Sequence, residues 1–297
     1  MKIHFLRNEE IDKTKWNSCV HYANNGNVFG YMWYLNNISK NWDGLIEDDY
    51  QSVLPLIWKP KILNTKVIYQ PILIRSTGIY SVNMLSKKRV SQFLNAIPKE
   101  YQQIEMSLLE GIKPADELDF EKKQNGTYQL LLNQDYPSIA NNYSEEVKTL
   151  LQKVEALDLI SASSLKPEIL ADFYKKNTPE KFQIEEKFHA LQRIMYNAMH
   201  RGIGFSIGLF DNDKTMLAAD FFIFSHGKLL SLMNCIASPR GKELNASILL
   251  IDRLIQTNAT RPVIMDFNSN DQWFEGFGAK EIPYFSISRK KGWRKFL

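Results

Sequence analysis

Two cysteines in 297 residues, Cys19 and Cys235, lie far apart, and neither has a second cysteine or a histidine at metal-ligand spacing. That spacing excludes a disulfide framework and a thiolate zinc site. Free buried thiols in a reducing compartment are the expected state. The five histidines are scattered; His189 and His200 share nearly one helix face but stand three turns apart, so they form no metal pair, and His226 falls at a turn. No apolar run approaches the ~18 residues of a membrane span. The start, Met1 to Leu6, soon turns acidic at Glu9 and Glu10 and reads as a first strand rather than a signal peptide. Together these features lead us to expect a cytoplasmic protein. Walker and Rossmann glycine patterns are missing, and no residue-level repeat links the two halves. A net charge of +4 is mild and reads as a slightly basic surface ahead of a nucleic-acid-binding one.

What is present is an ordinary globular composition, 44% hydrophobic and 24% charged, with aromatics at 12% to fill cores or line grooves. A chain of 297 residues is long for one core and comfortable for two. Hydrophobic periodicity predicts helices at 14–23, 29–38 and 86–96, with Ser86 as N-cap. Strands are expected at 45–46, 52–59, 66–69, 101–108 and 128–132, with turns at 47–49 and 64–65. The charged stretch 111–126 reads as a loop or exposed edge. Residues 133–143, polar and holding Pro137, read as a linker, dividing the chain into domains 1–135 and 136–297. Beyond it come helices at 144–157 (N-cap Ser144), 167–177 and 184–201. A meander of strands at 203–210, 217–224 and 228–237 follows, turning at Asp211-Asn212-Asp213 and His226-Gly227. The fold class expected is α/β with mixed α+β sheets.

The most telling stretch is 227–287. The strand 228–237 runs through Ser238-Pro239-Arg240-Gly241-Lys242-Glu243 into a helix at 244–256, whose apolar face is Ile248, Leu249, Ile251, Leu254 and Ile255. A strand at 262–267, a short aromatic helix at 273–279 and a closing strand at 284–288 complete it. A helix that follows a strand through a basic, glycine-containing turn offers free N–H groups and a positive dipole end to an anion. Arg240 and Lys242 are its candidate phosphate contacts, or else a solvated basic turn.

This order of elements resembles the GNAT acyltransferase fold. The resemblance implies that Asn234, Cys235, Ile236 and Ala237 carry the pantetheine arm of an acyl-CoA. It further implies that Arg240, Gly241, Lys242, Asn245 and Ala246 hold its pyrophosphate. The family loop runs Gln/Arg-x-x-Gly-x-Gly/Ala; here Arg240-Gly241-Lys242-Glu243-Leu244-Asn245-Ala246 keeps an arginine, a glycine and a small residue at altered spacing. Trp273-Phe274-Glu275-Gly276-Phe277-Gly278-Ala279 resembles the family's late helix. Trp33-Tyr34-Leu35, Trp42, Leu54-Pro55-Leu56 and Tyr69-Gln70-Pro71 resemble the Fem-ligase-like group, which has two tandem GNAT-like domains. That group's Asp-Phe-Glu-Gly-Ser stands here as Asp266-Phe267-Asn268-Ser269-Asn270.

The implied activity is transfer of an acyl group, acetyl or aminoacyl, from acyl-CoA or aminoacyl-tRNA to a small-molecule or amine acceptor, with no metal. Such a transfer needs orientation and a proton acceptor. Asp266, at a strand end, and Asp220, inside an apolar run, are the candidate bases; a turn or solvent-facing role is the other reading of each. Glu275 reads as surface. Trp33, Tyr34, Tyr69, Gln70 and Asn268 are candidate acceptor contacts, though aromatics of this kind, with Trp42, Trp58 and Tyr80, equally fill cores. The basic tail from Arg289 to Lys295 reads as a solvated segment or as a contact for RNA or anionic lipid. The alternative to an enzyme is a ligand-binding module on a degenerate GNAT scaffold, since the Glu-Gly-Ser part of the motif is replaced.

Overall fold

The computed structural model describes residues 2–61, 65–180 and 184–290. The chain divides into two compact units, one of residues 1–125 with 283–297, the other of residues 126–282. Tail residues 291–297 and the expected turn residue Asn64 lie outside the described residues.

In the first unit the elements run β1 (Ile3–Leu6), α1 (Lys13–Tyr22), α2 (Met32–Ile38), β2 (Trp42–Glu47), β3 (Ser52–Pro60), β4 (Lys66–Ile68), β5 (Tyr80–Ser81), α3 (Lys87–Asn95) and β6 (Tyr101–Ser107). β2 and β3 form a full antiparallel ladder from Trp42↔Ile57 to Glu47↔Ser52, while β4 lies parallel to β6. Trp16, Tyr34, Trp42, Tyr80 and Phe93 are fully buried between this sheet and its helices. The Trp16 and Trp42 rings meet at 5.1 Å, and Trp16 Nε1 donates to the Gly30 carbonyl at 2.8 Å. Ser86 caps α3 by accepting from Arg89 N.

The strand β7 (Glu121–Leu131) carries the chain from the first unit into the second. Its first residues belong to the segment 111–126 read as a loop or exposed edge; they form strand here, and β7 lies between β14 and β13 in the sheet order. The second unit continues with α4 (Tyr136–Ala140), α5 (Glu145–Glu155), β8 (Ile160–Ser163), α6 (Pro167–Asn177), α7 (Glu185–His200), β9 (Gly204–Phe210), β10 (Met216–Ser225), β11 (Lys228–Ser231), β12 (Ile236–Ala237), α8 (Pro239–Glu243), α9 (Ala246–Asn258) and β13 (Ile264–Asp266). The last strand, β14 (Lys280–Lys290), returns to the first unit, where Ser286 to Lys290 pair antiparallel with β6.

Strands of the second unit follow the order β7-β13-β11-β10-β9-β8, with β12 on β10. β13 is parallel to β11 and antiparallel to β7. Over this sheet α5 and α9 build a core from Val147, Leu151, Val154, Ile248, Leu249, Ile251, Leu254 and Ile255.

Three expectations are corrected here. Residues 133–143 are not a linker: Asp135 accepts from Ser138 N at 2.8 Å, Pro137 sits in the first turn of α4, and Ile139 and Tyr143 are buried in the core. The strand 228–237 is split into β11 and β12. The helix expected at 244–256 is α9, beginning at Ala246, and the turn expected before it holds a separate short helix, α8; the two are divided at Asn245, whose φ of 57° is left-handed. A helix cannot run through such a residue, and asparagine is the common non-glycine occupant of that region.

Candidate functional site

The break between β11 and β12 is a bulge with a definite register. β11 pairs with β10 at Phe222↔Ser231, and β12 resumes at Ala219↔Ile236. Four residues, 232–235, therefore lie opposite two, Asp220 and Phe221. The surplus is taken up where Asn234 and Cys235 both adopt left-handed backbone, at φ 55° and 50°. On the other side β11 loses its neighbour at the same level, because its pairing with β13 ends at Leu230↔Asp266. The sheet opens there.

A cavity of about 490 Å³ fills the opening. Asn234, Cys235, Ile236 and Ala237 form one wall. Gly241, Lys242, Asn245, Ser247 and Ile248 form the end at α8 and α9, while Glu146 and Leu150 of α5 and Ser269, Asp271, Trp273 and Phe274 complete it. Ser238 N donates to Leu217 O at 2.9 Å. In the alternating antiparallel pattern Ala237, one residue back, then turns its own N–H and C=O away from β10.

The turn into α8 is fixed by its own chemistry. Ser238 Oγ accepts from Gly241 N at 3.0 Å, and Pro239 occupies the first helical turn. A Cβ on Gly241 would stand 2.0 Å from the Leu217 carbonyl oxygen, so only glycine lets α8 lie this close to β10. Among the described residues no side chain caps α9, so its first turn presents N–H groups beside Asn245 and Lys242. Ser247 Oγ donates to Cys235 O at 2.7 Å and ties the start of α9 to the bulge.

Of the residues expected at a donor site, Asn234, Cys235, Ile236, Ala237, Gly241, Lys242 and Asn245 line this one cavity. Ala246 is outside the lining and buried in the core. Arg240 is outside the lining; its guanidinium is paired with Asp211 at 3.2 Å, across the β9–β10 turn.

Neither candidate base lines the cavity, and both are 0% exposed. Asp266 accepts from Gln129 Nε2 and Asn268 N, each at 2.9 Å, and from Thr127 Oγ1 at 3.4 Å. Asp220 lies under the bulge. It accepts from Met233 N at 2.9 Å, Cys235 N at 2.8 Å, Cys235 Sγ at 3.3 Å and Ser231 Oγ. Burial pushes the Asp220 carboxyl up, against these donors, and burial with the adjacent carboxylate pushes the Cys235 thiol well above its usual value. Asn268 adopts left-handed backbone at φ 54° just past β13.

The remaining acceptor candidates belong to the first unit. Tyr34 is buried and donates to Leu73 O at 2.7 Å, with Trp33 edge-on at 5.4 Å. Gln70 is clamped between Ser107 N at 2.7 Å and Ile74 O at 2.5 Å, and Tyr69 lies under Lys59 Nζ at 4.9 Å. Tyr34 and Gln70 act there as internal struts.

Sequence reading missed the cavity acids Glu146 and Asp271. Glu146 looks like a first-turn helix acid, and Asp271 caps the short 3-10 helix Gln272–Phe277 by accepting from Trp273 N at 3.0 Å. The cap motif ahead of Trp273-Phe274 was the available signal for Asp271. Among the described residues no group of three His, Cys, Asp or Glu side chains is placed to hold a metal, and no helix is long and apolar enough to cross a membrane.

No family model matches the sequence, and no curated protein matches it. Solved structures do. FemX superposes with a TM-score of 0.67 at 11% identity, over 96% of this chain and 97% of its own. L-PGS from Bacillus licheniformis gives 0.57 at 11% identity, over 95% and 93%. A GCN5-related glucosamine N-acetyltransferase region of a fungal multi-domain GH3 beta-N-acetylglucosaminidase gives 0.50 at 10% identity, over 97% of this chain and 38% of that one. At these identities the likeness concerns fold. The chain has a mixed α/β, GNAT-like fold of the Fem type.

Proposed function

We propose that the protein transfers an acyl or aminoacyl group from a carrier to an amine, and that the cavity of the second unit receives the donor. The supporting observation is the opening of the sheet beyond Leu230↔Asp266, filled by a cavity that runs to the uncapped start of α9. Its chemistry fits a donor with an extended amide-bearing arm and an anionic end. The Ala237 backbone groups turn toward the open side, where an arm amide can pair. Lys242 and the first turn of α9 face an anion. Leu150, Ile236, Ile248, Trp273 and Phe274 exclude water from the reacting carbonyl.

In this reading the chain contributes orientation first. Glu146 and Asp271 are the carboxylates at the cavity able to take the amine proton, directly or through one water. The donor is acyl-CoA or aminoacyl-tRNA; both place a phosphate-bearing carrier behind a reactive carbonyl. Calorimetric titration with acetyl-CoA and a gel shift with aminoacyl-tRNA test the two donors. Binding by at least one is expected, and Lys242→Glu weakens it about tenfold through loss of a charge-assisted contact. Binding of neither donor would defeat the proposal.

A second reading, a donor-binding module without transfer, draws on the burial of both Asp220 and Asp266. Turnover with any amine acceptor would eliminate it.

A further inference from the structure

We infer that Asp220 is the positioning residue of the donor cavity: its carboxylate replaces two missing rungs of the β-ladder and holds the bulge that opens the cavity wall. This rests on the donor-site reading above.

Regular pairing of 232–235 with β10 is impossible, because two residues of β10 face four. Leu232 N still reaches Phe221 O at 2.9 Å. The next amides have no ladder carbonyl in register, and a buried amide without an acceptor is costly. Asp220 stands at that level of β10, and its carboxylate accepts from the amides of both Met233 and Cys235. Ser231 Oγ, which donates to the same carboxylate, accepts from Asn234 N at 3.0 Å. Three consecutive amides, 233 to 235, are thus satisfied by Asp220 directly or through Ser231. The outer face of the same bulge is cavity wall, and Cys235 O receives Ser247 Oγ from the start of α9. The carboxylate therefore sets both the strand edge that meets the donor arm and the helix start that meets the anion, while touching neither.

A neutral residue of nearly the same shape cannot accept from both amides and the hydroxyl without turning an NH₂ toward one of them. Asp220→Asn and Ser231→Ala are compared with the wild-type protein by hydrogen exchange read by mass spectrometry, with and without acetyl-CoA and aminoacyl-tRNA. In Asp220→Asn, exchange across 232–236 is expected to rise about tenfold or more while 249–255 of α9 stays protected. Donor affinity falls about tenfold at a turnover number, where turnover is measurable, reduced less than kcat/KM. Ser231→Ala, which leaves the carboxylate in place, frees chiefly Asn234 and gives a smaller change in both. Unchanged exchange at 232–236 in Asp220→Asn overturns the inference. So does a loss of protection spread evenly through α9, which marks general destabilisation. If Asp220→Asn does not fold, Ser231→Ala decides: local loosening of 232–236 supports the inference, and none overturns it. Local loosening in a protein that binds neither donor supports the bulge clamp and sinks the donor reading, so the two failures are distinguishable.

Discussion

Asp252 shows how one buried carboxylate joins distant segments. On α9 and only 3% exposed, it accepts at Oδ1 from Tyr136 at 2.8 Å and Tyr143 at 3.0 Å. Burial pushes the Asp252 carboxyl up and drives the Tyr143 hydroxyl far above its usual value. Asp252→Ala leaves two tyrosine hydroxyls without their acceptor, and a loss of about 2–3 kcal/mol is expected from urea unfolding. Asp252→Asn, which keeps an acceptor, loses less. At the surface of the first unit, the Glu100 carboxyl is held below its usual value by its hydrogen bond from Arg7 and by Lys66. A lowered folded value means stability that is present above the unfolded pKa of about 4.3 and lost as pH falls through the folded one. Glu100→Gln is therefore expected to flatten the acid limb of a urea-midpoint profile between about pH 5 and pH 3, with a small effect near pH 7. A residue-level reading of the sequence reached neither of these, because the partners lie far apart along the chain: |i−j| is 116 for Tyr136–Asp252 and 93 for Arg7–Glu100.

Elements built from local signals were legible. α6 spans Pro167–Asn177 as its pattern predicts, and Ser144 caps α5 by accepting from Val147 N at 3.2 Å. Elements interrupted by tertiary chemistry were not. Nothing periodic in 228–237 announces a two-residue surplus, since the groups that satisfy it come from Asp220 on the neighbouring strand. The division of 239–258 at Asn245 had a local signal, an asparagine early in a helical pattern, four residues beyond the glycine at 241. That glycine belongs to close approach rather than to backbone freedom. Gly241→Ala puts a Cβ against the Leu217 carbonyl, and α8 must move away from β10. Melting and acetyl-CoA calorimetry on this variant should show about 1–3 kcal/mol of destabilisation together with weakened donor binding. A fully stable variant that binds like wild type would show that α8 does not shape the site.

At the scale of the whole molecule, sequence reading reached the GNAT-like fold of the Fem type and the stretch that carries the cavity. Seven of the residues expected at a donor site, from Asn234 to Asn245, line one cavity because they are close in sequence along one strand–turn–helix. The proposed proton acceptors were less visible. Asp220 stood out as a carboxylate inside an apolar run and Asp266 as one at a strand end, and both patterns mark buried scaffold carboxylates as readily as catalytic ones. Glu146 and Asp271 reach the cavity from separate elements, α5 and the turn after β13, which only the fold brings together. The central claim is that this cavity is the donor site. The most direct test is the hydrogen-exchange footprint of the wild-type protein with acetyl-CoA and with aminoacyl-tRNA added in turn. Protection by at least one donor, concentrated at 234–237 and 241–248, is the predicted result. Donor binding that leaves those residues unprotected, or no binding of either donor, would contradict it.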